Sequence, residues 1–207
     1  RRDVEASLPK PHTRRIPMKR YRGRYRIESA RLPGYDYTTP GRYHVVICTA
    51  ERACFFGDVR DGTMMLSPTG KIVADEWSRT PSLRPYVALD AWVVMPNHVH
   101  GILTLLPGDV GAPRLSTEAP RRDVSTGTVA TLRAHSLGAI IGQSKGACTR
   151  RIRAAGISDF AWQPRFWDRV IRSEHELEAT RRYIANNPLQ WHLDRLHPSH
   201  PQQHPPT

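Results

Sequence analysis

Two imidazoles one residue apart, a tyrosine, and a side-chain amide four residues beyond it are the groups in this chain best suited to chemistry. The imidazoles are His98 and His100, within Val93-Val94-Met95-Pro96-Asn97-His98-Val99-His100-Gly101-Ile102-Leu103. Side chains alternate along a strand, so both rings project to one face while Val99 points to the other. Two rings on one face can hold a divalent cation, although His-x-His alone is more often a pair of satisfied polar residues at a strand end. The tyrosine is Tyr183, within Arg181-Arg182-Tyr183-Ile184-Ala185-Asn186-Asn187-Pro188. On a helix Asn187 shares a face with Tyr183, and its amide oxygen could be a third, oxygen-type ligand. A lone helical tyrosine is usually core or rim; beside a histidine pair in a basic chain it means more. A phenol, with a pKa of about 10, attacks poorly at neutral pH until its proton leaves or its phenolate is stabilised. A bound cation does the complementary job of polarising a phosphodiester.

These groups need a frame. Tyr43-His44-Val45-Val46-Ile47-Cys48-Thr49, apolar and β-branched between Pro40-Gly41 and Glu51-Arg52, reads as a strand. After a turn at Ser67-Pro68-Thr69-Gly70, residues 71–83 carry Ile72, Val73, Glu76 and Trp77 at helical spacing. Apolar runs at 86–95 and 99–106 flank the turn dipeptide Pro96-Asn97 and predict an antiparallel pair. A second helix fits 135–155, where Leu137, Ile140, Ile141, Ser144, Cys148 and Ile152 recur in three- and four-residue steps. A short strand, Val170-Ile171, leads to a third helix whose start is a capping box, Ser173 with Glu176. Leu177, Thr180 and Ile184 form its buried stripe, and Pro188 stops it. Residues 107–133, rich in Gly, Pro, Ser, Thr and Arg, read as an insertion or a mobile functional loop. Residues 196–207 are Pro/His-rich and read as a disordered tail.

His98-Val99-His100 has the His-hydrophobic-His form, and Tyr183-Ile184-Ala185-Asn186-Asn187-Pro188 the Tyr-Ile-x-x-Asn-Pro form, of the single-tyrosine HUH transposases. The chain resembles this IS200/IS605-like family over roughly residues 35–195. Val94-Met95-Pro96-Asn97-His98-Val99-His100-Gly101, the order of the motifs, Trp162-Gln163-Pro164-Arg165-Phe166-Trp167 and Arg169-Val170-Ile171-Arg172 look like the REP-associated tyrosine transposase branch. The combination is far more specific than either motif alone. The resemblance implies an α+β domain with a ferredoxin-like, RRM-like antiparallel sheet, the histidines on a central strand and the tyrosine on a late helix. It implies that His98 and His100 are metal ligands, with Asn187 as the third where the family has Gln, and that Tyr183 is the nucleophile. It further implies Mg²⁺ or Mn²⁺ as the ion, where imidazole ligands alone would also allow zinc. Attack would release a 3′-hydroxyl and leave a 5′-phosphotyrosine linkage, in single-stranded DNA beside a hairpin.

The charge agrees with a polyanionic partner but places it mostly elsewhere. Of 207 residues, 31 are Lys or Arg and 19 are Asp or Glu, a formal charge of +12. Twelve of the basic residues and four of the acids fall in residues 1–42, so +8 of the +12 sits there. Residues 1–34 read as a flexible basic arm, in which Lys19, Arg20, Arg22 and Arg24 interleave with tyrosines as candidate phosphate contacts; a solvated tail explains them equally well. Lys145, Arg150, Arg181 and Arg182 are the candidate DNA contacts of the domain. Trp162, Phe166 and Trp167 are candidate stacking surfaces, although a core role fits aromatics better. Three cysteines without C-x-x-C spacing fit a reducing, cytoplasmic setting. No run approaches the ~18 apolar residues of a membrane span, and the N-terminus lacks the apolar core of a signal peptide. Two other functions compete: a nucleic-acid-binding module without turnover, and a phosphoesterase that uses a metal-bound water.

Overall fold

The structure, a computed structural model, describes residues 34–107 and 134–200, together with the backbone of two short strands, β1 (Arg20–Tyr21) and β2 (Arg24–Tyr25). These two pair antiparallel, Arg20 opposite Tyr25. The remainder of the basic arm, with Lys19 and Arg22, nearly all of the 107–133 segment, and residues 201–207 lie outside the described residues.

The domain runs β3 (Gly41–Cys48), β4 (Gly57–Arg60), β5 (Thr63–Leu66), α1 (Pro68–Ser78), α2 (Thr80–Leu83), β6 (Val87–Met95), β7 (His98–Leu105), α3 (Leu137–Ala154), β8 (Trp167–Ile171) and α4 (Glu174–Asn186). Short 3-10 turns follow β3 at Ala50–Arg52 and α4 at Pro188–Leu193. The main sheet has the order β6-β7-β3-β8 with every pair antiparallel, which is the ferredoxin-like order expected. Met95 pairs with His98 across the two-residue Pro96-Asn97 turn, as that dipeptide predicts.

Local chemistry explains the boundaries. Ser67 caps α1 by accepting from the Gly70 N–H at 3.0 Å, and Pro68 takes the first helical position, so the presumed turn is the helix start. The predicted single helix 71–83 breaks after Ser78 because Pro81 has no N–H to continue the ladder. In α4, Ser173 Oγ accepts from the Glu176 N–H at 3.1 Å, while the Glu176 carboxylate reaches Arg172 N and Arg169 rather than closing the box on Ser173. Pro188 ends the α-helix, but the chain continues at once as a 3-10 turn, a possibility the proline leaves open. Strands β4 and β5 form a hairpin the apolar pattern did not reveal. Its turn is Asp61-Gly62, both left-handed at φ 49° and 71°, the pairing a type I′ turn requires.

Alternation splits the sheet into two faces. Tyr43, Val45, Ile47, Val94, Val99, Leu103 and Leu105 join residues of α1 and α3 in the main core. On the opposite face Ile102 and Ile171 pack against Leu177 and Ile184 of α4. The first face carries the bulk of the apolar burial; the second is left for the site. Among the described residues, no helix is long and apolar enough to cross a membrane.

Gly101, between the histidines and the core, is fixed by a close approach: a Cβ there would sit 2.4 Å from Cζ2 of buried Trp77. Gly101→Ala is expected to lower the unfolding free energy by about 1–3 kcal/mol through overpacking against α1. A urea midpoint equal to that of the unaltered chain would show that Trp77 yields freely.

Candidate metal centre and tyrosine

Strand β7 turns His98 and His100 to the α4 face, where both are buried with ring centroids 4.6 Å apart and nearly perpendicular. Their outer nitrogens are already fixed. His98 Nδ1 is 2.8 Å from Asn97 Oδ1, which can only accept, so His98 carries its proton there and leaves Nε2 a lone pair. His100 Nδ1 lies 3.3 Å from His44 Nε2 on β3, in stacked rings 5.5 Å apart. The Nε2 atoms of both His98 and His100 are buried without a hydrogen-bond partner. An unpaired polar atom in the interior is costly, so two such atoms close together suit a bound third party.

A third oxygen donor stands beside them. Asp194, just past the 3-10 turn, has Oδ2 3.8 Å from His98 Nε2, and the ligand atoms of His98, His100 and Asp194 lie within 4.8 Å of one another. The segment that carries it is anchored. Asp194 Oδ1 accepts from the Leu196 N–H at 2.7 Å, Leu196 O accepts from Asn97 Nδ2 at 2.8 Å, and Arg195 O accepts from Arg52 Nη1 at 3.0 Å. Trp191 is buried against His98, and His197 packs edge-on to Trp191. Leu196 and His197, which composition assigned to a disordered tail, therefore help to hold Asp194 and Trp191 in place.

Asn187 is buried just past the end of α4, on the face where the helical spacing put it. Its Nδ2 donates to Asp194 Oδ2 at 3.3 Å, and its amide favours the ionised form of the Tyr183 phenol. Its Oδ1 is buried without a partner. The Asp194 carboxylate is grouped with the imidazoles, and the unpartnered Asn187 Oδ1 is a further oxygen donor held beside that carboxylate.

Tyr183 is 46% exposed, its ring edge-on to His100 with centroids 5.2 Å apart. Burial of half the ring and the Asp194 charge push its phenol above the ordinary range, while the Asn187 amide opposes them. The phenol is thus protonated at rest. Burial holds all three imidazoles neutral: His98 is lowered to about 3, His44 to about 4, and His100 also well below its usual value. Neutral imidazole is the form that ligates a cation. Two imidazoles and a carboxylate are a donor set that divalent metals accept, and the orphaned Nε2 atoms face it.

The expected DNA contacts divide. Arg150 and Arg182 are exposed. Lys145 instead donates to Gln163 O and Arg165 O at 2.6 and 2.9 Å and lies over the Trp162 ring, clamping the turn before β8. Arg181 forks onto Asp90, Nε to Oδ1 at 2.9 Å and Nη2 to Oδ2 at 2.6 Å, and also pairs with Glu178, so it ties α4 to β6. Of Arg20 and Arg24 only the backbone is described. Trp162 and Phe166 pack against the core, as the bland reading of the aromatics has it, but Trp167 does not.

Asp194, Asn97 and His44 are the site residues that sequence reasoning missed. Asn97 had a visible signal, since it occupies the turn adjoining His98. His44 had only its place on a predicted strand. Asp194 had none beyond being an isolated acid near the end.

No family model matches the chain. An uncharacterized protein of Haemophilus influenzae is 29% identical over 180 residues, covering 84% of this chain and 95% of its own length. A solved structure of a REP-associated tyrosine transposase bound to a REP hairpin superposes with a TM-score of 0.52 at 19% identity, covering 80% of this chain and 76% of that one. The fold is thus that of the REP-associated tyrosine transposase, and the single-tyrosine HUH transposases of the IS200/IS605 kind are the family that this chain resembles in fold as well as in motif.

Proposed function

We propose that this protein cleaves and rejoins single-stranded DNA beside a hairpin, through a 5′-phosphotyrosine linkage on Tyr183. One observation carries the proposal: two buried imidazoles with unpaired Nε2 atoms face a carboxylate directly beside a half-exposed tyrosine. His98, His100 and Asp194 would hold a divalent cation, Mg²⁺ or Mn²⁺, which when bound polarises the scissile phosphodiester and offsets its charge. Asn187, whose Nδ2 donates to Asp194 and whose Oδ1 is buried without a partner, is a further candidate ligand, and its amide favours the phenolate of Tyr183. Tyr183 loses its proton and its oxygen bonds to phosphorus; the bond from phosphorus to the 3′ oxygen breaks, and that oxygen takes up a proton. The phosphodiester count is unchanged, so a second 3′-hydroxyl can reverse the step without ATP.

Incubation with 5′- and 3′-labelled single strands carrying a hairpin, plus Mn²⁺ or Mg²⁺, is expected to give a covalent protein–DNA adduct. Tyr183→Phe is expected to abolish the adduct and cleavage together. Cleavage that survives Tyr183→Phe would instead assign attack to water, and binding without any adduct would leave a non-catalytic DNA-binding module.

A further inference from the structure

The aromatic side chains of the described residues are sorted into the interior with two exceptions, and these stand together. Trp77, Trp92, Trp162 and Trp191 are buried or half-buried, whereas Trp167 is 41% exposed. Among the described tyrosines and phenylalanines, only Tyr183 is exposed to a like degree. Both lean on the same buried ring. Trp167 meets His44 edge-on with centroids 5.2 Å apart, and Tyr183 meets it at 6.2 Å.

Register places the indole in line with the site. Trp167 is opposite Val46 on β3, and Val46 is opposite His100 on β7, so Trp167 and His100 share a row of the sheet two strands apart. At the usual strand spacing that is about 10 Å. Strand β8 is the sheet edge, and its far end is covered, Ile171 packing on Leu177 and Ile184. Its near end is open. The preceding Phe166 turns into the main core, so alternation sends Trp167 to the metal-site face. Two residues on, opposite His44, Arg169 holds a largely exposed guanidinium on that same face, one nitrogen of which is paired with Glu176 at 2.8 Å. A flat apolar surface beside a cation suits a nucleobase with its phosphate better than it suits a protein partner.

We propose that Trp167 is a base-stacking platform: an unpaired base of single-stranded DNA adjoining the phosphate presented to Tyr183 lies on its indole, with Arg169 toward the backbone. The inference rests on the DNA reading above and adds a means of selection. A ring face accepts any unpaired base, so the platform favours a single strand over a duplex, whose base faces are already stacked.

Fluorescence anisotropy with the full chain tests it, using a labelled oligothymidine and a matched strand of abasic residues. Trp167→Ala is expected to weaken oligothymidine binding roughly 5- to 100-fold, the loss typical of one stacked base. On the abasic strand the loss should nearly vanish, Trp167→Phe should lose less than Trp167→Ala, and Mn²⁺ affinity should stay unchanged. Equal losses on both strands, or no loss on either, would overturn the platform. The two readings separate cleanly. An absent adduct with the Trp167 effect intact defeats only the cleavage chemistry, and an adduct formed without any Trp167 effect defeats only the platform.

Discussion

His98→Ala is expected to abolish Mn²⁺ binding and DNA cleavage while sparing most of the affinity for single-stranded DNA. The ring contributes one of the two buried imidazole Nε2 atoms that lack a hydrogen-bond partner. Loss of an outer-shell partner typically costs 10- to 100-fold in metal affinity, so loss of the ligand itself should cost at least about 100-fold. Asp194→Asn is expected to weaken Mn²⁺ by about 10- to 100-fold, because it keeps the side chain's shape and its acceptor for the Leu196 N–H but removes the charge. Titration followed by Mn²⁺ electron paramagnetic resonance checks both, with anisotropy on a labelled strand as the companion measurement. Unchanged Mn²⁺ affinity in His98→Ala would remove the metal centre, and an equal collapse of DNA affinity would make His98 structural. An effect of Asn187→Ala larger than that of Asp194→Asn would make the amide the stronger third ligand.

The contrast between Asn187 and Asp194 shows where reading the sequence succeeds. Helical spacing alone put Asn187 on the face of Tyr183, and there it is, because a four-residue step on a capped helix is local geometry. Asp194 follows a proline that ends the α-helix, within a segment rich in His and Pro. Its place depends on Asn97, Arg52 and Trp191, which lie far off in sequence or act through the 3-10 turn. No periodicity encodes such contacts. His44 is the intermediate case. Its strand was legible from β-branching, and alternation gave its face, but its meeting with His100 needs the register of β3 on β7, a pairing of residues 56 apart.

The same division runs through the fold. The strands and helices of the main sheet were legible because each carries its own period and cap, Ser173 with Glu176 being the clearest. The β4–β5 hairpin was legible in principle from Asp61-Gly62, but its strands are short and half-polar, so no apolar run marked them. Net charge was the least informative signal at residue level. Two of the basic side chains it nominated, Lys145 and Arg181, turn out to hold the protein together.

Acid should unfold the metal-free protein unusually early, and the site is the reason. His44, His98 and His100 are buried and held neutral, with His44 lowered to about 4, His98 to about 3, and His100 in the same direction, burial being the first cause for each. An unfolded histidine titrates near 6.5, so below that pH the unfolded chain binds protons that the folded chain refuses. Stability from this source is present above about pH 6.5 and is lost as pH falls toward the folded values. Each ring contributes roughly 1.4 kcal/mol per pH unit, and three together about 4 kcal/mol per unit, a large share of a typical domain's 5–15 kcal/mol. The lowered carboxylates of Asp75, Asp90 and Glu176 act in the same sense, but only below about pH 4, and the exposure of their guanidinium partners weakens them. A steep fall that begins near pH 6 therefore belongs to the histidines. Urea unfolding in a chelator from pH 8 to 5 measures it, and His44→Gln should reduce the slope by about a third by removing one titrating ring. A flat profile between pH 7 and 5 would mean that the rings protonate freely in the folded state. Adding Mn²⁺ should raise stability most at high pH, since the cation requires the same neutral imidazoles that folding does.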